Sequence, residues 1–218
     1  MGRCLSNEDI LRLGSILFVI CAVAALMLGV TNNITAPVIE QRNIQANNES
    51  RKAVLQAAEE FKQIENAKGD LVEEVYQGLK NGEVVGYTIK TTPKGYGGKV
   101  EVMVGITTDG NISGVKIGNH SETPGLGSKA SEPAFKDQFK GKGTDKSLTV
   151  VKGNASNDND IAAISGATIT SKAVTSGVNA AIDLYKSQLL NSQNEAKDSS
   201  MVQIYDHKEL KDSNGTGV

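Results

Sequence analysis

The chain has 218 residues, a formal net charge of -2 and no tryptophan, and aromatic residues make up 4% of it. This length accommodates one domain of ordinary size together with an anchor or a tail. The chain lacks both the basic surplus that neutralises a phosphate backbone and the aromatic rings that stack on bases, so we expect no nucleic-acid partner.

The cysteines and histidines limit the metal chemistry of the chain. Both cysteines, Cys4 and Cys21, lie near the N-terminus, and the histidines are His120 and His207. The main domain therefore has no disulfide framework, cysteine zinc site or four-cysteine iron-sulfur cluster, and two histidines are too few for a transition-metal cage. We expect no metal site, and any redox chemistry in the domain requires an organic cofactor.

Residues 13–30, LGSILFVICAVAALMLGV, carry no charge. At a rise of about 1.5 Å per residue they span roughly 27 Å, close to the hydrocarbon thickness of a membrane. We expect a transmembrane helix over 13–33, and a cleaved signal peptide is the alternative. Arg3 and Arg12 precede this span and the next cation is Arg42, so the positive-inside rule places a short N-terminus (1–12) in the cytoplasm and the main domain outside.

A polar stretch with scattered apolar residues follows the span. The apolar residues fall near helical spacing, which predicts a connector helix over 34–68. They are Val54, Leu55, Ala58, Phe61 and Ile64.

The next part of the sequence is rich in β-branched residues. Residues 83–92, 99–108 and 111–118 each show partial alternation, which predicts strands. Asp109-Gly110 lies between the last two and predicts a hairpin with a type I′ turn. The expected result is a mainly antiparallel sheet.

Helices flank this predicted sheet. Residues 131–142 predict a short helix with Ser131 as its cap, and residues 147–153 predict another strand. A last helix is indicated by apolar residues that share one face, namely Val174, Val178, Ala181, Ile182, Tyr185 and Leu189. We therefore expect an α+β domain over 69–190 and a flexible polar tail over 191–218.

Four hydroxyl residues crowd around Gly166 in the segment AAISGATITSKAV, where the last helix begins. They are Ser165, Thr168, Thr170 and Ser171. A helix start offers unpaired amide groups and the positive end of the helix dipole, and small residues leave them accessible, so the segment predicts a phosphate site. Ordinary N-capping is the alternative. Walker A spacing and a GxGxxG motif are both missing from the sequence.

The sequence SGAT before Ile-Thr-Ser resembles the flavinylation motif of the FMN-binding domain family. In that family a dedicated flavin transferase, which uses Mg²⁺, attaches FMN to the last threonine of the motif through a phosphoester bond. The resemblance implies covalent FMN on Thr168, surrounded by residues of the same segment: Ser165, Gly166, Ala167, Thr170 and Ser171.

Two further loops carry the same resemblance. HSETPGLGS, residues 120–128, resembles the ETPGLG loop of the family, and KGYGG, residues 94–98, resembles its glycine-rich loop. The resemblance implies polar contacts from Glu122 and Thr123 and stacking by Tyr96. It places Pro124, Gly125, Leu126 and Gly127 near the isoalloxazine ring. Each loop alone is also compatible with a plain turn.

A single span before an FMN-binding domain resembles the G subunits of Rnf ion-translocating electron transport complexes. The C subunits of sodium-translocating NADH:quinone reductases are the nearest rival. The Rnf resemblance implies an electron-carrying membrane subunit without a stand-alone activity. Its expected partners are the other Rnf subunits, and its complex would couple electron flow between ferredoxin and NAD⁺ to Na⁺ or H⁺ movement.

One position departs from the family pattern Dxx(S/T)GAT. Ala162 occupies the aspartate position, and Asp160 lies two residues earlier. A membrane-anchored scaffold without covalent flavin therefore stays open as an alternative. An extracytoplasmic sensor is a third hypothesis, although the residues before the span are too few for an output domain.

Overall fold

A computed structural model of the chain describes residues 7–190. Cys4 and the expected polar tail 191–218, which includes His207, lie outside the described residues, as does half of the expected cytoplasmic segment. The contacts divide the chain into two units, Met1–Asn48 and Glu49–Val218, which are described separately.

The first unit consists of one long helix in its described part. This helix, α1, spans Asn7–Val54 and contains Pro37. An 18-residue window within it has a mean hydropathy of 2.7. By length and composition, α1 is able to cross a membrane.

The expectation of a connector helix up to residue 68 is wrong, because α1 ends at Val54. Leu55 and Ala58 are buried, and Glu60–Gln63 forms a strand. The apolar residues after Val54 therefore keep a near-helical spacing without forming a helix, because Leu55 and Ala58 are buried against the sheet.

The second unit contains a five-stranded sheet in the order β1-β2-β3-β4-β5, and each strand pairs antiparallel with its neighbours in sequence. This arrangement confirms the expected antiparallel sheet and adds β1 and β2 to the three predicted strands. The strands are β1 Glu60–Gln63, β2 Val72–Lys80, β3 Glu83–Thr91, β4 Val100–Thr107 and β5 Ile112–His120.

The turn between β4 and β5 differs from the predicted type I′ geometry. Only Gly110 has a positive φ there, at 75°, and its amide donates to the Thr107 carbonyl at 3.0 Å. The Asn81-Gly82 pair between β2 and β3 does have both residues at positive φ, 53° and 84°. The two-residue turn that matches strand twist therefore lies in the earlier hairpin.

The rest of the unit consists of short elements and one longer helix. A 3₁₀ turn, Gly127–Ser131, precedes α2, Pro133–Lys136, whose cap is Glu132 and not the expected Ser131. A second 3₁₀ turn follows over Asp137–Phe139. The remaining elements are β6 Thr149–Val151, β7 Asp160–Ala162, which pairs parallel with β6, α3 Thr168–Leu184 and a π-helical turn Tyr185–Leu189.

The core lies between α3 and the sheet, where α3 packs on β3 and β4. The apolar face predicted for this helix is buried: Val174, Val178 and Ala181 have no exposed surface. On the sheet side, Ile89 and Val104 are also fully buried. This packing fixes the first turn of α3 relative to the strands.

A row of glycines crosses the other face of the sheet, at Gly78, Gly86, Gly105 and Gly114 of four adjacent strands. A Cβ atom on Gly105 would lie 2.3 Å from the Val54 carbonyl oxygen. The missing side chains therefore let the chain around Val54 lie directly on the sheet, where the Ser113 hydroxyl donates to the same carbonyl at 2.5 Å.

Candidate functional site

The loop that leads into α3 is held by hydrogen bonds to its own helix. Gly166 has a φ of 77°, a left-handed conformation that favours glycine. The Ser171 hydroxyl donates to the Ala167 carbonyl and accepts from the Ile164 amide, both at 3.0 Å. Ser171 is fully buried, so its side chain fastens the loop and does not reach solvent.

The four hydroxyl groups of the segment have different surroundings. The buried Thr170 hydroxyl donates to Glu122 Oε2 at 2.5 Å, and Ser171 bonds within the loop. Ser165 is exposed and does not line the cavity. Thr168, the first residue of α3, lines the cavity, and its hydroxyl has no hydrogen-bond partner within residues 7–190. It is therefore free to carry a substituent.

Glu122 joins the three predicted loops. It is 5% exposed, and its Oε1 accepts from the Gly97 amide at 3.0 Å while Oε2 accepts from Thr170. A Cβ atom on Gly95 would lie 2.3 Å from Oε1, and one on Gly127 would lie 2.5 Å from Oε2. The glycines therefore let two loops close around one buried carboxylate, and both of its oxygens bind protein groups.

Residues from all three loops line one cavity of about 560 Å³. The predicted site residues in its wall are Tyr96, Glu122, Thr123, Leu126, Gly127, Gly166, Ala167, Thr168 and Thr170. Pro124 and Gly125, like Ser165 and Ser171, lie outside the lining. Ile169 also lines the cavity, and it was not among the predicted site residues. Its position directly after Thr168 in the first turn of α3 is the signal that could have indicated it.

A second cavity of the same volume, about 560 Å³, shares none of these residues. Its wall is largely polar and comes from the stretch 143–159, including Asp145, Asp158 and Asn159. Among the described residues, Leu148 is the one large apolar residue in its wall, and no residue of a helix start lines it. The cavity at Thr168 is therefore the candidate site.

The Asp160 carboxylate is hydrogen-bonded to Asn157. Its Oδ2 accepts from the Asn157 amide at 3.0 Å and from the Asn157 side chain at 2.8 Å. These bonds, with the Asn157 amide as the largest cause, lower the pKa of the Asp160 carboxyl below its usual value. Ala162, at the motif position, bonds through its amide to Gln138 Oε1 at 2.8 Å. Asp160 thus stabilises the 156–160 turn.

Comparison with known proteins identifies relatives. Residues 95–183 match the FMN-binding domain model. The G subunit of the Na(+)-translocating ferredoxin:NAD(+) oxidoreductase complex of Acetobacterium woodii is 49% identical, over 81% of this chain and 92% of that protein. The G subunit of the proton-translocating ferredoxin:NAD(+) oxidoreductase complex of Clostridium ljungdahlii is 37% identical, over 84% of this chain and 95% of that protein.

A solved structure shares the fold. The crystal structure of the C subunit of the Na(+)-translocating NADH-quinone reductase from Parabacteroides distasonis has a TM-score of 0.50 and 21% identity, and covers 68% of this chain and 96% of that chain. This likeness concerns the fold alone, whereas the sequence relatives at 49% and 37% identity are both G subunits. The chain therefore belongs to the family of G subunits of ion-translocating oxidoreductase complexes, the Rnf family.

Proposed function

We propose that this chain is the membrane-anchored flavoprotein subunit that carries electrons within an ion-translocating ferredoxin:NAD(+) oxidoreductase complex. FMN is linked to it by a phosphoester bond at the Thr168 hydroxyl. One observation carries this proposal: Thr168 lies in the cavity wall at a helix start, with its hydroxyl free within the described residues.

The residues of the cavity fit FMN. A volume of about 560 Å³ lies within the range of small-molecule sites, roughly 300–1,000 Å³. The first amides of α3 lack carbonyl partners inside the helix, so the positive end of the dipole favours a phosphate at Thr168. Tyr96, Leu126 and Ile169 supply apolar surface for a ring system. When bound, FMN supplies one- and two-electron redox chemistry.

The chain's own residues position the cofactor and do not react with a diffusing substrate. Glu122 holds the loops of Gly97 and Thr170 together, so the wall of the cavity is formed before a ligand arrives. Ser171 fixes the loop on the other side of Thr168. Because these groups are already bonded to protein, their contribution is a rigid frame for the attached ring.

The charge distribution of the sequence supports one orientation in the membrane. Arg3 and Arg12 precede the apolar part of α1, and Arg42 is the first cation after it. This asymmetry supports a cytoplasmic N-terminus and an extracytoplasmic flavin domain in a single-pass protein of the cell membrane. Covalent attachment would then keep the cofactor from being lost on the outer side. The proposed partners are a flavin transferase during maturation and the other subunits of the complex.

A specific observation favours a second candidate, a scaffold subunit without covalent flavin. Ala162 replaces the motif aspartate, and the Asp160 carboxylate is already bonded to Asn157. A transferase that requires a carboxylate beside the motif would find none at position 162. This candidate predicts a normally assembled chain that carries no flavin.

Three forms of the full chain test the proposal when each is produced with the flavin transferase. In-gel flavin fluorescence after denaturing electrophoresis is expected for the wild type and for Ser176→Ala, which removes an exposed hydroxyl of α3 outside the motif and keeps the acceptor. It is expected to vanish in Thr168→Ala, with the fold intact by circular dichroism. A fluorescent Thr168→Ala band would contradict the attachment site, and a dark wild type would favour the scaffold.

A further inference from the structure

Exposed apolar side chains cluster at the mouth of the cavity. Within residues 49–190, the exposed large hydrophobic residues are Tyr96 (71%), Ile169 (55%), Leu126 (44%) and Leu190 (37%). The first three all line the cavity. Contiguous exposed apolar groups on a soluble domain mark interaction surfaces, so this mouth is a candidate contact surface.

Four exposed lysines lie on the segments that carry these three residues, and we call them the lysine rim: Lys94, Lys99, Lys129 and Lys172. Lys94 and Lys99 pair across the base of the loop that carries Tyr96. The Lys129 amide donates to the Leu126 carbonyl at 3.2 Å, so it lies one turn from Leu126. Lys172 follows Ile169 by three residues in α3, which places the two on one helix face.

The acids next to the rim in sequence are Glu101, which pairs with Lys90 at 3.7 Å, and Glu132, whose amide donates to the Lys129 carbonyl. The stretches 94–99, 123–131 and 163–175 contain no aspartate or glutamate. Glu122 is buried, with its carboxylate bonded to protein groups, and Glu132 is the first exposed acid after the 3₁₀ turn. The segments at the mouth are therefore basic, although the chain as a whole has a formal net charge of -2.

The rim lysines are exposed and do not belong to the cavity wall, so their charges are available to a partner that approaches from solvent. Apolar contact at the centre and charges at the edge are the usual division of an interface. The charges at such an edge steer an oppositely charged partner and set its orientation. A cofactor in the cavity would cover part of this apolar surface and would leave the rim lysines, which lie outside the lining, available.

We propose that the cavity mouth with its lysine rim is a docking surface for an electron-carrier protein whose own contact patch is acidic. The exchange of electrons with the partner rests on the proposed function. The contact itself needs only the protein surface. Charge complementarity selects an acidic partner over a basic one of similar size.

Binding of two electron-transfer proteins to the full-length chain in detergent tests this proposal. The probes are plastocyanin, which is acidic, and cytochrome c, which is basic. At low ionic strength we expect plastocyanin to associate faster, and this rate to fall by about tenfold in physiological salt. Replacing all four rim lysines by glutamate should lower plastocyanin association by at least about tenfold and favour cytochrome c.

The matched control replaces exposed lysines outside the rim by glutamate: Lys62, Lys80, Lys146 and Lys152. We expect this control to change plastocyanin association by less than about threefold, because none of its lysines belongs to the segments that line the cavity. If a fourfold variant does not fold, the single variants Lys129→Gln and Lys172→Gln can be compared with the wild type for plastocyanin association instead. Equal losses in rim and control variants, or wild-type preference for cytochrome c, would overturn the proposal.

The same binding assay on Thr168→Ala separates this inference from the proposed function. Rim-dependent binding of plastocyanin to a chain that carries no flavin supports the docking surface even if the flavin proposal fails. A flavin-bearing wild type without charge preference overturns the docking surface and leaves the flavin proposal standing.

Discussion

Thr168 differs from its hydroxyl neighbours in what its oxygen is free to do. Thr170 and Ser171 are buried and hydrogen-bonded, and both act inside the protein. Ser165 is exposed beyond the cavity wall. At the residue scale, the structure thus divides a cluster of similar groups into two that hold the site and one that faces the ligand space.

Glu122 is expected to stabilise the site through the two hydrogen bonds that its side-chain oxygens accept. Both oxygens accept hydrogen bonds, whereas the amide of a Glu122→Gln variant presents a donor to one of them. We expect the variant to lose about 1–3 kcal/mol of unfolding free energy. Hydrogen exchange at Gly97 should quicken as well. Glu132→Gln is the exposed control and should stay within about 0.5 kcal/mol of the wild type in thermal unfolding.

Asp160 makes a pH-dependent contribution to stability. Its pKa is lower in the folded chain than the ordinary value of 3.8, so its carboxylate stabilises the fold above that pH. The contribution is lost as pH falls through the lower, folded-state pKa. Asp160→Asn should therefore be less stable than the wild type at neutral pH and approach it in strong acid. A stability difference that stays constant with pH in chemical denaturation would contradict this assignment.

At the element scale, the glycine row determines how closely residue 54 approaches the sheet. A Gly105→Ala side chain would meet the Val54 carbonyl oxygen at 2.3 Å, and we expect a loss of about 1–3 kcal/mol. Gly114→Ala is the matched control, because its nearest contact in the same row is 3.4 Å. Equal melting temperatures for the two variants would show that the sheet yields at Gly105.

The elements that sequence patterns predicted are those with a local signal. The sequences of β3, β4 and β5 are rich in β-branched residues with partial alternation, and α3 has an apolar face, so these elements are visible in the sequence. The end of α1 is not visible in the sequence, because Leu55 and Ala58 keep near-helical spacing although they lie beyond the helix and are buried against the sheet. Tertiary burial, which a local pattern does not encode, decided that boundary.

At the scale of the whole molecule, three separate loops meet at one cavity. The sequence motifs predicted which loops these are, and most of the residues they indicated line its wall. The motifs did not predict that one carboxylate ties the loops together, because the pairing of Glu122 with Thr170 joins positions 48 residues apart. They also did not separate the free hydroxyl of Thr168 from the bonded ones.

The family relation and the cavity together make the central claim testable on the native protein. The most direct measurement is denaturing mass spectrometry of the full chain from its native membrane, with fragmentation to locate any adduct. We expect an FMN-sized adduct on Thr168. An unmodified chain from cells with a functional flavin transferase would contradict covalent attachment, and an adduct on Ser165 or Thr170 would contradict the assigned residue.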